Sequence, residues 1–130
     1  MRLFHKDLIE VLPRQQLLGQ WRELNSIYKK QDKHILINFV YEYDKKILCN
    51  YSKLVIDEMI KRGYKVNIHN YERYFNGSDY LSCPYEDIFT YKMNERYLKQ
   101  CLYNLQEKYD CGGISQEEWQ KIEDKFGGCL

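Results

Sequence analysis

The chain has 130 residues, 30% of them charged, and a formal net charge of +1. That length suits one domain spanning residues 1–130, burying roughly two thirds of the surface its unfolded form exposes. No apolar run approaches the roughly 18 residues a membrane span needs, and Lys6, Asp7, Glu10 and Arg14 interrupt the stretch where a secretory leader is apolar. The five cysteines form no CxxC pair, and their odd number leaves one unpaired under any scheme. Two of them fall inside helical patterns, as small buried hydrophobes do in a reducing compartment, so a cytoplasmic location is expected. Charge is unevenly spread. Residues 1–34 carry seven Lys/Arg against four Asp/Glu, and residues 101–130 carry three against six. A basic front and an acidic tail fit an anionic partner on one side, although such an asymmetry also arises by chance. Thirteen tyrosines are the compositional outlier. They serve packing first, and base stacking only where several rings stand exposed beside a basic face.

A first helix is expected from about Pro13 to Gln31. Proline lacks an amide hydrogen, favours the first helical position and pushes Leu12 into an extended conformation. This register puts Leu17, Leu18, Trp21, Leu24 and Tyr28 on one apolar stripe. Arg22, Ser26, Lys29 and Lys33 share the opposite face, with Lys30 close by. Residues 35–41, Ile-Leu-Ile-Asn-Phe-Val-Tyr, are β-branched and aromatic enough for a short strand and apolar enough for a buried helical turn. A second helix runs from about Lys45, capped by Asp44, to Arg62, and Gly63 ends it. Residues 64–90 hold the turn signals Asn76-Gly77-Ser78-Asp79 and Ser82-Cys83-Pro84 and read as loop with short helical turns. Asn94 caps a third helix, with Met93 and Leu98 as its hydrophobic staple and Cys101, Leu102 and Leu105 on its apolar face, until Gly112-Gly113 stop it. The last helix starts at a capping box of Ser115 and Glu118, stapled by Ile114 and Trp119. Residues 127–130 look like a frayed end.

Glu23 falls at the border between the apolar stripe and the basic face of the first helix. A lone carboxylate there, beside an arginine, is a common way to place a catalytic acid or base, and an exposed Arg22–Glu23 surface pair is the bland alternative. The first 24 residues resemble the pyrimidine-dimer DNA glycosylases of the endonuclease V type. The resemblance is carried by Leu8, Leu12, Gln15 and Leu17, then Trp21 followed by Arg22-Glu23-Leu24, and by a second patch, Lys61-Arg62-Gly63-Tyr64. The opening Met-Arg-Leu-Phe-His also resembles an uncharacterised branch of that superfamily. Because the resembled family is helical, residues 35–41 are taken as helix or irregular. An all-α fold is implied: a small compact bundle of about four helices with irregular connections.

The resemblance implies a DNA repair glycosylase and abasic-site lyase. Its nucleophile is the N-terminal α-amine, here that of Met1, or of Arg2 if Met1 is removed, and Glu23 assists by stabilising the iminium and promoting β-elimination. The physical logic is sound: an α-amine has a pKa of roughly 7.7–8.0 against about 10.4 for lysine, so a far larger fraction is unprotonated at neutral pH. Reach is also sound, since Pro13 to Glu23 spans about 15 Å of helix and six extended residues cover about 20 Å. Arg14, Arg22, Lys29, Lys30 and Lys33 are the candidate phosphate contacts, and His5 and His34 are candidate site-lining residues. The chain departs from the family at Arg2, where a small residue is usual, and at Leu3 and Ser26, where phosphate-binding arginines are expected. Methionine is normally trimmed only before small residues, so Met1 is expected to stay. No metal-ligand spacing and no phosphate-cradling glycine loop is present in the sequence, so neither metal nor cofactor is expected. The expected partner is double-stranded DNA with damaged or abasic sites, met by a monomer. Two other readings compete: a non-catalytic nucleic-acid-binding module on the same scaffold, and a protein-interaction domain using the tyrosine-rich middle.

Overall fold

The computed structural model describes residues 2–76 and 82–129. Among these there is no strand; five α-helices and four 3-10 turns account for the regular structure. The α-helices are α1 (Arg14–Lys30), α2 (Lys45–Lys61), α3 (His69–Phe75), α4 (Glu95–Asp110) and α5 (Gln116–Phe126). The all-α expectation therefore holds, with one short helix, α3, beyond the four read from the pattern. No helix of the described residues is long and apolar enough to cross a membrane.

Most boundaries follow from local chemistry. The Asp44 carboxylate accepts from Lys46 N at 3.0 Å, Asn94 Oδ1 accepts from Tyr97 N at 2.9 Å, and the Ser115–Glu118 box is closed in both directions. Gly63 and Gly112, both at φ +84°, supply the left-handed residues that end α2 and α4. One expectation needs correcting. Pro13 is the cap of α1, not its first helical residue: its ψ of 154° is still extended, while its carbonyl already accepts from Leu17 N at 2.9 Å. Residues 35–41 resolve into a turn followed by a 3-10 segment, Asn38–Glu42. Asn76 takes a left-handed conformation and closes α3; the rest of that turn signal, residues 77–79, lies outside the described residues.

α1 packs on α2 and α3, and the 3-10 turn Lys6–Val11 wedges between α2 and α5. Leu17, Leu24 and Ile27 of α1, Tyr51 and Val55 of α2, and Leu102 and Leu105 of α4 are fully buried in one cluster. Tyr28 sits in an aromatic nest with Trp21, Tyr71, Tyr74 and Phe75, at centroid separations of 5.5–6.2 Å. Most described tyrosines are thus packing residues. Tyr85, Tyr91 and Tyr103 are the exposed ones.

Candidate functional site

Residues 2–5 belong to no regular element in an otherwise helical protein, so their backbone groups have no ladder to join. Side chains replace the ladder. Gln20 of α1, buried, donates from Nε2 to the Arg2 carbonyl at 2.7 Å and accepts at Oε1 from Phe4 N at 2.9 Å. The Tyr51 hydroxyl lies 2.7 Å from Phe4 O and 3.1 Å from Gln20 Oε1, sharing its proton between them. The Tyr97 hydroxyl donates to Leu3 O. Leu3 and Phe4 bury their side chains beneath these contacts. The opening segment is therefore stitched along α1, α2 and α4 at once.

This stitching builds a cleft of about 680 Å³. Its walls include Arg2, Gln16, Arg22 and Glu23 on one side and Asn104 and Lys108 of α4 on the other, with Leu36 at the rim. Glu23 follows Gln20 by three residues on the same face of α1. Its Oε1 is buried and has no hydrogen-bond partner among the described residues, and the same holds for Gln16 Oε1 one turn before Gln20. A buried acceptor without a donor costs about 1–3 kcal/mol, so both oxygens are ready to accept from a donor that enters the cleft. No Arg22–Glu23 ion pair occurs among the described residues; the Arg22 side chain is exposed while Glu23 is half-buried. The bland surface-pair alternative has no geometric support.

The other candidates are dispersed. Met1 lies outside the described residues. His5 is buried and does not line the cleft: its Nδ1 accepts from Asp7 N at 3.0 Å, capping the turn Lys6–Val11, which puts the proton on Nε2 for donation to Met93 O at 3.0 Å. Burial pushes this imidazole below its ordinary range, outweighing the Asp7 carboxylate that pulls it upward. His34 uses Nδ1 to accept from Leu36 N at 3.2 Å, and Leu36, not His34, is the cleft-lining residue. Arg14 opens α1 just before the cleft-lining Gln15 but lines a separate depression, its guanidinium 5.6 Å from the Tyr64 ring centre and its backbone N–H bonded to Glu118. Lys29 and Lys30 are exposed in the last turn of α1. Lys33 lies beyond that helix, because Gln31 at φ +49° ends it, and its ammonium stands 6.0 Å from the Tyr41 ring centre.

Sequence reasoning named Arg2, Arg22 and Glu23 of the cleft and missed Gln16, Gln20, Leu36, Asn104 and Lys108. One signal was available. Gln20 interrupts the buried stripe between Leu17 and Leu24, and a glutamine there needs buried partners. No group of three or more His, Cys, Asp or Glu side chains able to hold a metal occurs among the described residues.

The model of a protein family described as pyrimidine dimer DNA glycosylase matches residues 1–71, more than half of the chain. The match takes in the stitched opening segment, α1, α2 and the start of α3. No curated protein and no solved structure matches the chain.

Proposed function

The chain belongs to the pyrimidine dimer DNA glycosylase family, and on that premise we propose that it is a glycosylase and abasic-site lyase whose terminal amine and Glu23 act together in the Arg2–Glu23 cleft. The amine attacks C1′ of the damaged nucleotide, the C1′–N bond breaks, and the base leaves and takes up a proton. The bound amine gives up a proton, the C1′–O4′ bond opens and O4′ takes up a proton, leaving the sugar as an open-chain iminium; its C2′ proton is then removed so that the 3′ phosphate departs by β-elimination. On abasic DNA the same iminium forms by condensation with the open-chain aldehyde and loss of water.

One observation carries this reading: Gln20 holds the Arg2 carbonyl at 2.7 Å, and Glu23, three residues further along α1, lines the same cleft with a buried oxygen that has no partner among the described residues. Arg2, the first described residue, lines that cleft together with Glu23, and this shared lining is what supports pairing the terminal amine with the carboxylate. Glu23 then balances the iminium charge in a partly dry site and serves as the base for elimination. Arg22 and Lys108 flank the opening as phosphate contacts. A soluble, cytoplasmic repair enzyme is the natural setting for this chemistry.

The test is borohydride trapping on duplex DNA carrying one abasic site. The wild type is expected to form a covalent adduct that peptide mapping assigns to the amino-terminal residue, and Glu23→Gln to lower the strand-scission rate by about 10²–10⁴-fold. Blocking the terminal amine by acetylation should abolish the adduct. If wild type forms none, or if the adduct maps to a lysine side chain, this chemistry is wrong. Salt-dependent DNA binding without any adduct would leave a non-catalytic module on the same scaffold.

A further inference from the structure

The Glu23 cleft does not end at α4. It shares Arg2, Leu36 and Asn104 with an adjoining depression of about 410 Å³, which in turn shares Gln100 and Tyr103 with a shallower one of about 470 Å³ at the start of α4. Together they form a continuous track that leaves the cleft and follows the exposed face of α4, beyond the residues the family model matches.

Two features of the track select its occupant. Charge is the first. Arg2, Arg22, Lys92, Arg96, Lys99 and Lys108 line it against the carboxylates Glu23, Glu95 and Glu107, so a chain of net charge +1 concentrates a surplus of cations here. Lys99 stands 3.9 Å from Glu95, but an exposed pair at that spacing is weak and is readily exchanged for a phosphate. The second is the Tyr103 ring, 52% exposed in the middle of a basic groove although most tyrosines of this protein are packed away. A flat aromatic surface flanked by cations is how proteins hold a nucleic-acid strand without reading its sequence.

We infer that the exposed face of α4 carries the DNA strand that flanks the lesion: the Tyr103 ring packs against a deoxyribose, and Arg96 and Lys99 neutralise phosphates. The inference rests on DNA being the cleft's substrate. From Asn104, which the cleft and track share, to Arg96 is about 12 Å of helix. At about 3.4 Å per nucleotide of one duplex strand, the track accommodates three to four nucleotides on one side of the lesion.

The experiment compares wild type with an Arg96→Gln/Lys99→Gln/Tyr103→Ala variant on duplexes bearing a tetrahydrofuran abasic analogue. The arms are either long or cut two base pairs from the analogue on one side or the other, and binding is read by fluorescence anisotropy. Wild type should lose about tenfold in affinity when one particular arm is cut and little when the other is cut. The variant should bind the long duplex as weakly as wild type binds that truncated one, be indifferent to truncation, and show a salt slope shallower by about 1.8. Tyr103→Phe alone should bind as wild type does, because the ring face is kept. A variant that keeps the arm dependence overturns the track, as does a wild type that is indifferent to both cuts or binds none of these duplexes. Borohydride trapping on true abasic duplexes reads the chemistry separately: trapping that survives in a variant without arm dependence supports both the chemistry and the track, whereas arm dependence without any trapping in wild type sinks the chemistry and keeps the track.

Discussion

Gln20 shows how much one polar side chain can organise. Its amide satisfies the Arg2 carbonyl and the Phe4 amide, two backbone groups of an opening segment that has no ladder to join, and it also accepts from the Tyr51 hydroxyl. Replacing it with leucine of similar size leaves a buried donor and acceptor stranded, so Gln20→Leu is expected to lower stability by about 2–4 kcal/mol. Urea unfolding measures this, and the same variant should lose adduct formation because Arg2 is no longer held beside Glu23. A stability within a few tenths of wild type would show that the stitching is ornamental. His5 makes a second prediction at this scale. Its imidazole is held neutral by burial, below the ordinary value of 6.5. The unfolded chain therefore binds the extra proton first, and the contribution of His5 is complete above about pH 6.5 and is lost as pH falls toward the folded value. His5→Asn keeps an acceptor for the Asp7 amide and removes the titration. It should be less stable at pH 7.5 and lose less stability than wild type between pH 7.5 and 5.5.

Among the elements, α5 is the clearest case of local design with a distant consequence. Ser115 and Glu118 close the capping box, and the second carboxylate oxygen of Glu118 accepts from Arg14 N at 2.8 Å, tying the start of α5 to the start of α1. Burial raises this carboxyl, but the Arg14 and Ser115 N–H groups and the Ser115 hydroxyl more than reverse it, and its pKa lies below the usual 4.5. Folding then favours the ionised form. The stabilisation is complete above about pH 4.5 and drains away as pH falls through the depressed value. Ser115→Ala should cost about 1 kcal/mol at neutral pH, and Glu118→Gln should flatten the acid limb of the stability curve below pH 4.5. Both are read from urea midpoints across pH. The box was legible because its partners are three residues apart; the bond to Arg14, spanning 104 residues of sequence, was not.

Over the whole molecule, the basic groups named from the sequence divide into those that share a cleft and those that do not. Arg22 lines the cleft, whereas Arg14, although next to the cleft-lining Gln15, lines a separate depression against Tyr64 and Glu118. DNA affinity measured against salt should therefore separate them. Arg22→Gln is expected to reduce the log–log slope by about 0.9, and Arg14→Gln to leave it unchanged. Equal effects would mean that the duplex covers both depressions instead of the cleft alone.

Capping, helix ends and the register of Glu23 from the chain start were decided by the sequence alone, because a cap, a left-handed glycine and a 3.6-residue stripe are settled within a few residues of one another. Tertiary structure alone decided that residues 2–5 are held by Gln20, Tyr51 and Tyr97, that His5 faces Met93 instead of the cleft, and that α4 supplies the opposite wall. Those contacts join positions separated by 16 to 94 residues. Their partners are chosen by which buried backbone groups need a donor or acceptor once the helices have packed, a demand that exists only in three dimensions.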